Sequence, residues 1–289
     1  MLLFLQSLVN GILLGGIYAA CSAGFCLAFG VMGVVNLSHG DFVMLGAFIT
    51  YWLFFLSGLD PFLTLPLTLI ALFFLGFFLQ KLTINRLVGS PPIMSYLLTF
   101  GLHLVLSNLA LRAWTADYRT LSTSYSGLNL DFHGLILPYS RLTTFAVAMG
   151  VTFGLYFLLY RTEIGRAIRA TAQDREMARL MGVKIFRIYI LTFALATGIT
   201  GLAGSLISST FVIYPQMGLP FTVIAFCVVV LGGMGYVPGT LWGGMILGVL
   251  ESLTTTYLTA GLSLALTFFL LLLMLIIRPG GILGKGIVE

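Results

Sequence analysis

The chain has 289 residues, of which 59% are hydrophobic and only 8% are charged, and its mean hydropathy is +1.09. Soluble domains carry about 25% charged residues, so this composition excludes a soluble domain and indicates an all-α, polytopic membrane protein. The net charge of +5 does not imply nucleic acid as a partner, because one segment, residues 161–187, carries seven basic and three acidic residues, a net +4.

The first predicted span, Leu2–Phe29, is long enough to cross a bilayer and has a face of small residues suited to close helix contact. A polar break follows at Gly30–Gly40. Irregular backbone at membrane depth persists only where it is buried in protein or lines a cavity. The break therefore supplies candidate residues of a substrate path, namely Asn36, Ser38, His39 and Asp41.

A new helix is predicted from His39 to about Ser57, because Ser38 and Asp41 have the spacing of a capping box. Two structural alternatives stay open beside the substrate path. The polar residues of the break only cap a helix end, or His39 is a buried imidazole with a satisfied hydrogen bond.

Two further spans, Phe62–Leu79 and Ile93–Leu111, are joined by a basic segment, residues 80–92, which the positive-inside rule assigns to the cytoplasm. His103, an isolated polar residue, is more typical of a bond to a neighbouring helix than of a substrate contact. The polar stretch Arg112–Arg141 is the predicted main external loop, and Leu142–Tyr160 returns to the cytoplasm.

The longer basic segment, residues 161–187, is predicted to form a short amphipathic helix at about 162–182 on the cytoplasmic side. Thr162 is a suitable N-cap, and Gly182 can adopt the left-handed conformation that ends a helix. Glu176, Met177 and Ala178 followed by Gly182 partly resemble the coupling loop of ATP-binding-cassette importer permeases. Met177 replaces an Ala of that signature and its Ile-x-Leu-Pro ending is missing; the alternative is a basic loop that only determines topology. The predicted ATPase-coupling residues are Glu163, Gly165, Arg169, Asp174, Glu176, Ala178 and Gly182.

The second half begins with the span Ile188–Thr210, which a second break, Phe211–Pro220, interrupts. Opposed breaks, one in each half, are the pattern of a substrate path in an inverted-repeat transporter, although direct similarity between the halves is weak. Tyr214 and Gln216 within this break are further candidates for the path.

The remaining predicted spans are Phe221–Leu231, Leu241–Tyr257 and Leu262–Ile277. The glycine-rich stretch Gly232–Gly244 is predicted to be a tight cytoplasmic turn, since no Gly-Lys-Ser/Thr follows that would indicate a phosphate-binding loop. Glu251 within the eighth span should face the bundle or a polar cavity, because a charge at mid-membrane costs about 2.5–3.5 kcal/mol. It completes the candidate substrate path.

A full reversal at the first break gives nine spans and an external N-terminus, whereas a re-entrant break gives eight spans and an internal one. In either arrangement the tail Arg278–Glu289, with Lys285, ends in the cytoplasm. The three cysteines all lie in apolar runs and are expected to be small buried residues rather than a disulfide or metal set.

Four blocks resemble the branched-chain amino acid permease family, and specifically the smaller of its two membrane subunits. They are Asn10–Phe48, Arg161–Val183, Val230–Ser252 and Arg278–Gly284. Together they cover about a third of the chain, and their order extends the resemblance over nearly all of it. The external loop, above all Tyr118–Pro138, has no match.

The resemblance implies a single permease domain, residues 1–289, of a bacterial inner-membrane importer. A second, homologous permease subunit in a hetero- or homodimer, two cytoplasmic ATPases that bind ATP and Mg²⁺, a periplasmic binding protein and membrane lipid are the implied partners. The chain itself has no Walker motif, no cofactor and no metal site in this interpretation, and it is not an enzyme.

The implied substrates are branched-chain or related hydrophobic amino acids. Other readings stay open at this point: urea, short amides or aromatic amino acids as substrates, a channel or structural scaffold, or a proton-coupled secondary transporter that uses Asp41 and Glu251.

Overall fold

The computed structural model describes residues 1–87, 91–123, 125–132, 134–278 and 280–283, and is a helical bundle with one small β-hairpin. Helices of the first half are α1 (Leu2–Met32), α2 (His39–Ser57), α3 (Leu65–Leu82), α4 (Pro92–Trp114) and α5 (Tyr139–Arg161). The later helices are α6 (Glu163–Gln173), α7 (Arg175–Leu180), α8 (Ile185–Ser208), α9 (Gly218–Gly232), α10 (Val237–Tyr257) and α11 (Ala260–Ile277). Strands β1 (Asn129–Phe132) and β2 (Leu135–Pro138) pair antiparallel, and short 3₁₀ turns lie at Ile84–Leu87 and Pro215–Met217.

The bundle has two distinct ends, here called the hairpin end, which carries β1 and β2, and the basic end, which carries α6 and α7. Helix α1 runs from the first to the second. Near its start, the Gln6 side chain donates to the Ile136 carbonyl of β2 at 2.7 Å and accepts from its N–H at 2.9 Å. At its finish, the Arg175 guanidinium of α7 donates to the Met32 carbonyl at 2.9 Å. The first helix therefore fixes the distance between the two ends.

Seven helices in the described part of the chain are long and apolar enough to cross a membrane: α1 to α5, α8, and α9 with the turn before it. The apolar helix at Gly261–Ile277 is shorter, and α10, which carries Glu251, is not among the seven. The prediction of an all-α polytopic protein is confirmed, and the eight to nine predicted spans agree roughly with these nine long segments.

Helix α1 is the core of the bundle and packs against α5, α8, α9 and α10. Glycines allow the closest of these contacts, because a Cβ on Gly15 would lie only 2.6 Å from Cα of Met245 and 2.7 Å from the carbonyl oxygen of Gly244 in α10. Helices α3, α4, α5 and α11 instead expose large apolar side chains, such as Phe78, Leu97, Phe157 and Phe269. Such surfaces suit contact with lipid or with another membrane subunit.

The two predicted breaks are both present, and they bring two helix N-termini together inside the bundle. After α1 the chain turns at Gly33, which has φ 66°, and returns so far that His39, the first residue of α2, bonds the carbonyl of Cys21 in the middle of α1. Helix α2 then runs back to the hairpin end, so the reversal is complete. Helix α9, of 15 residues, spans about 22 Å, and its first residue, Gly218, lies beside Asp41.

Several local predictions need correction. The capping box at Ser38 does not form, because the Ser38 hydroxyl donates to Asn36 Oδ1 at 2.7 Å instead of capping α2. The predicted glycine turn Gly232–Gly244 is only four residues long, since α10 already begins at Val237 and its glycines pack against α1 and α9.

The single helix predicted at about 162–182 is in fact two helices, and the predicted external loop contains the hairpin. By contrast, the bounds of α2 and the burial of Cys21, Cys26 and Cys227 are as predicted. The end of the tail, with Gly284 and Lys285, lies outside the described residues.

Candidate functional site

The first polar break forms a closed junction with the start of α9, called here the midplane junction (residues 36–41 and 218–222). The Gly40 N–H donates to the Thr222 hydroxyl at 2.8 Å, and His39 Nε2 donates to the Cys21 carbonyl at 3.0 Å. Asn36 Oδ1 also accepts the N–H of Ser38 at 3.0 Å. The path candidates of the first break thus have hydrogen-bond partners within the protein, and no side chain among them caps α2.

Asp41 carries the only carboxylate among the described residues of the junction, and its partner comes from a third helix. His103 Nδ1 of α4 lies 2.8 and 3.0 Å from the two carboxylate oxygens. Asp41 is in the first turn of α2 and touches Gly218 at the start of α9, so its negative charge faces two helix N-termini. Its side chain has no exposed surface, whereas that of His103 is 13% exposed. This pair holds α4 against the point where α2 and α9 meet.

The candidates of the second break, Tyr214 and Gln216, lie on the segment that leads from the hairpin end to the midplane junction. Ile213 pairs with Arg119 through two backbone hydrogen bonds of 2.8 and 2.9 Å, and the Tyr214 ring is 5.3 Å from that of Tyr118. Gln216 is exposed in the 3₁₀ turn before α9. Ile213 and Tyr214 connect the break to the loop between α4 and β1. The 3₁₀ turn that holds Gln216 packs against α2 and α4 and is followed directly by Gly218, which lies beside Asp41.

Glu251 lines a separate cavity of about 280 Å³ in the half of the bundle nearer the hairpin, called here the outer cavity. Its lining residues come from α1, α5, α10 and the start of the second break: Asn10, Leu13, Leu14, Ile17, Arg141, Thr210, Phe211, Glu251, Ser252, Thr255 and Thr256. The Tyr18 hydroxyl is within hydrogen-bonding reach of the Glu251 carboxylate. Of the seven path candidates, only Glu251 lines this cavity.

A second cavity of about 240 Å³ adjoins the outer cavity on the hairpin side. The two cavities share Arg141, Thr210 and Phe211 as lining residues. Hydroxyl groups dominate the rest of the second lining, with Thr120, Ser126, Ser140, Ser208 and Ser209. A hydroxyl-lined cavity therefore adjoins the cavity that Glu251 lines, and Arg141 belongs to both.

The basic end carries all seven predicted coupling residues on two capped helices. The Thr162 hydroxyl accepts the N–H of Gly165 at 3.0 Å, as predicted for an N-cap. Asp174 ends α6 and caps α7, because its carboxylate accepts the N–H groups of Glu176 and Met177 at 2.9 and 3.0 Å. Gly182 has φ 86° and closes α7, because its N–H donates to the carbonyl of Arg179 at 3.0 Å, as predicted from its sequence position.

These coupling residues differ in exposure. Gly165 is buried against the last turn of α5, and Ala178 is buried on the inner face of α7. Arg169 lies over the Tyr160 ring at 4.5 Å, while Glu163 and Glu176 are exposed. The exposed surface of α7 and the turn after it mixes charged and apolar side chains, and its apolar members Met177, Leu180 and Met181 are exposed by 61, 79 and 85%.

Sequence reasoning missed three residues of these sites. Thr222 and Tyr18 are ordinary members of apolar helices, and their spacing gives no signal. Arg141 was assigned only to the polarity of the external loop, although a cation at the start of a predicted span could have been paired with Glu251. No group of three or more potential metal ligands occurs among the described residues.

The chain matches a family model described as branched-chain amino acid transport system / permease component, over residues 7–277. It is 31% identical to the high-affinity branched-chain amino acid transport system permease protein BraD of Pseudomonas aeruginosa, covering 99% of this chain and 97% of that protein. It is 30% identical to the corresponding permease protein LivH of Escherichia coli K12, covering 100% and 98%. A probable LivH of Methanocaldococcus jannaschii is 25% identical over 96% of this chain and 91% of its own length. No solved structure matches the chain.

Proposed function

The chain belongs to the family of branched-chain amino acid transport permease components, and on that premise we propose that it imports branched-chain or related hydrophobic amino acids as the membrane subunit of an ATP-driven importer. It is a permease component and not an ATPase, so ATP and Mg²⁺ are bound by separate subunits. The basic end then faces the cytoplasm and the hairpin end faces the periplasm.

The observation that carries this proposal is the surface of the basic end. Helices α6 and α7 are held rigidly by two side-chain caps, and α7 presents Met177, Leu180 and Met181 outward among basic residues. Apolar side chains exposed on a capped helix, surrounded by charge, are typical of a protein-docking surface. A cytoplasmic ATPase is the partner that an importer requires at this place.

The basic end is also connected mechanically to the core. Arg175 of α7 donates to the carbonyl of Met32, the last residue of α1, and its guanidinium lies 5.8 Å from the Tyr189 ring of α8. Because α1 and α8 pack on the midplane junction and α1 lines the outer cavity, a displacement of α7 would be passed to both regions. Alternating access would follow from rocking of one part of the bundle against another.

The proposed assembly holds a second, homologous permease subunit, as a hetero- or homodimer, two ATPases and a periplasmic binding protein in a bacterial inner membrane. The apolar faces of α3, α4, α5 and α11 supply the surface for lipid and for the second permease subunit. Nucleic acid has no part in this assembly.

The decisive experiment uses the complete transporter in proteoliposomes, with ATP inside and binding protein plus labelled L-leucine outside. Uptake should require ATP and stop with vanadate. The variant Gly182→Val should assemble and hydrolyse ATP but lose most leucine uptake, since a β-branched residue is strained at φ 86° and the end of α7 is disturbed. Gly150→Val is the matched control, because a Cβ at Gly150 on α5 meets no atom within 4 Å.

Normal coupling in Gly182→Val would count against the proposed docking surface. Uptake that follows a proton gradient and ignores vanadate would favour the secondary transporter instead. That alternative draws on Asp41 and Glu251, because ionisable residues inside a membrane bundle are functional candidates. Uptake of urea or a short amide in place of leucine would support the proposed importer but change its proposed substrate.

A further inference from the structure

Two residues of opposite charge line the outer cavity from separate elements. Arg141 lies in the first turn of α5, and Glu251 lies in α10. Among the described residues no ion pair within 4.0 Å joins them, and the ion pairs present there, His103–Asp41 and Arg166–Glu163, involve neither. The Arg141 side chain has no hydrogen-bond partner in the described chain. A basic and an acidic side chain therefore line one cavity without pairing with each other.

The rest of the lining is divided between apolar and hydroxyl groups. Leu13, Leu14 and Ile17 form an aliphatic wall on α1, and the Phe211 ring adds to it. Thr255 and its neighbours on α10 supply hydroxyl groups on the other side. A volume of about 280 Å³ is at the lower limit of small-molecule pockets, which start at about 300 Å³, so the cavity suits a molecule much smaller than a typical drug.

We infer that the outer cavity is a binding site for the zwitterion of a small aliphatic α-amino acid, reached before the midplane junction. The Arg141 guanidinium faces the ligand carboxylate, the Glu251 carboxylate faces the ligand ammonium group, and the aliphatic wall receives the side chain. This inference rests on the proposed import function and assigns a place to its substrate within this chain.

The charge pattern selects against the other ligand classes. An amine without a carboxylate would leave Arg141 unpaired, and a carboxylic acid without an ammonium group would leave Glu251 without a cation. Urea carries no charge and has no group that packs on Leu13 or Ile17. Only a molecule that carries both charges and an apolar chain satisfies the whole lining. The Tyr18 hydroxyl fits this arrangement, because a carboxylate has about four acceptor positions and Glu251 keeps several for the ligand.

Cysteine protection tests this site without relying on turnover. Thr255→Cys places a thiol in the cavity wall, while the native Cys21, Cys26 and Cys227 have no exposed surface and should not react. In the assembled transporter without binding protein, L-leucine should slow maleimide labelling of Thr255→Cys. Thr259→Cys, which is exposed at the same end of the bundle but does not line the cavity, is the control and should be labelled at an unchanged rate.

Charge variants on the Thr255→Cys background identify the groups that bind. Glu251→Gln and Arg141→Gln should each raise the half-protecting L-leucine concentration by about tenfold or more, which is the expected effect of losing one charged partner. Glu251→Asp and Arg141→Lys keep the charges, so they should raise the half-protecting L-leucine concentration by a smaller factor. Arg112 is a cation at the end of α4 and does not line the cavity, so Arg112→Gln should leave the half-protecting L-leucine concentration unchanged. With native Arg141 and Glu251 in the Thr255→Cys protein, 3-methylbutylamine and 4-methylpentanoate should need concentrations at least about tenfold higher than L-leucine for half protection.

Absence of protection by L-leucine would overturn the inference, and so would protection that none of the charge variants weakens. The same preparations are assayed for ATP-driven leucine uptake. Uptake without protection would reject this binding site and leave the importer intact, whereas absence of both would reject the proposed function as well.

Discussion

The midplane junction and the outer cavity both place charged groups inside an apolar bundle, but they treat those groups in opposite ways. In the junction Asp41 has no exposed surface and His103 lies against both of its carboxylate oxygens. In the cavity Glu251 is half-buried and Arg141 is exposed, and the two face open space without pairing with each other. The charged groups of the junction pair with each other, whereas Arg141 and Glu251 of the cavity do not.

This difference separates structural polarity from ligand-binding polarity in a membrane protein. A break in a membrane helix leaves backbone groups that must find partners, and the side chains nearest to it supply them. The polar side chains of a break are therefore expected to form hydrogen bonds within the break itself. Charges that the fold leaves unpaired, beside apolar walls, are the better indication of where a substrate binds.

The largest expected effect comes from Gly40→Val in the junction. A Cβ on Gly40 would overlap the backbone carbonyl oxygen of Gly218, and backbone cannot move aside as a flexible side chain can. We expect this variant to abolish assembly, measured as loss of the monodisperse peak of a fluorescent fusion in size-exclusion chromatography.

The matched control for this variant is Gly101→Val on α4, where a Cβ meets no atom within 4 Å. It should assemble like the parent protein. A Gly40→Val protein that assembles normally would show that the two helix N-termini do not pack as closely as the junction requires.

A smaller effect is expected from breaking the Asp41–His103 pair. Removal of one partner of a buried hydrogen-bonded pair leaves the other polar group unsatisfied, which costs about 1–3 kcal/mol and more for a charged group, whereas removal of both can be nearly neutral. His103→Leu and Asp41→Asn should each lower the Tm of the solubilised complex, and the double variant should be more stable than the sum of the two effects predicts. Simple additivity in this cycle would mean that the two side chains do not interact.

Much of the helical layout followed from local sequence signals. Helix α2 was predicted at His39–Ser57 because short-range residue spacing marks helix ends. The capping box at Ser38, on which its start was predicted, does not form, whereas Gly58, with φ 66°, does end the helix. The ends of the basic segment were predicted for the same reason, since Thr162 and Gly182 act on neighbours three or four residues away. The cap at Asp174 was overlooked, because the hydrophobic periodicity continues across it and hides the division into α6 and α7.

The pairing of distant residues could not be predicted in this way. Asp41 and His103 are 62 positions apart on separate helices. Arg141 and Glu251 meet at one cavity only because α5 and α10 both pack against α1. A single sequence records the polarity of each residue, but it does not record which helix faces which.

The most direct test of this account measures thermal stability and leucine binding together for Glu251→Gln and Asp41→Asn, both on the Thr255→Cys reporter. We expect Glu251→Gln to keep the Tm of the parent and to raise the half-protecting L-leucine concentration by about tenfold or more. We expect Asp41→Asn to lower the Tm and to leave that concentration unchanged in the protein that assembles. The reverse result, with weakened leucine binding in Asp41→Asn and only lost stability in Glu251→Gln, would contradict this account.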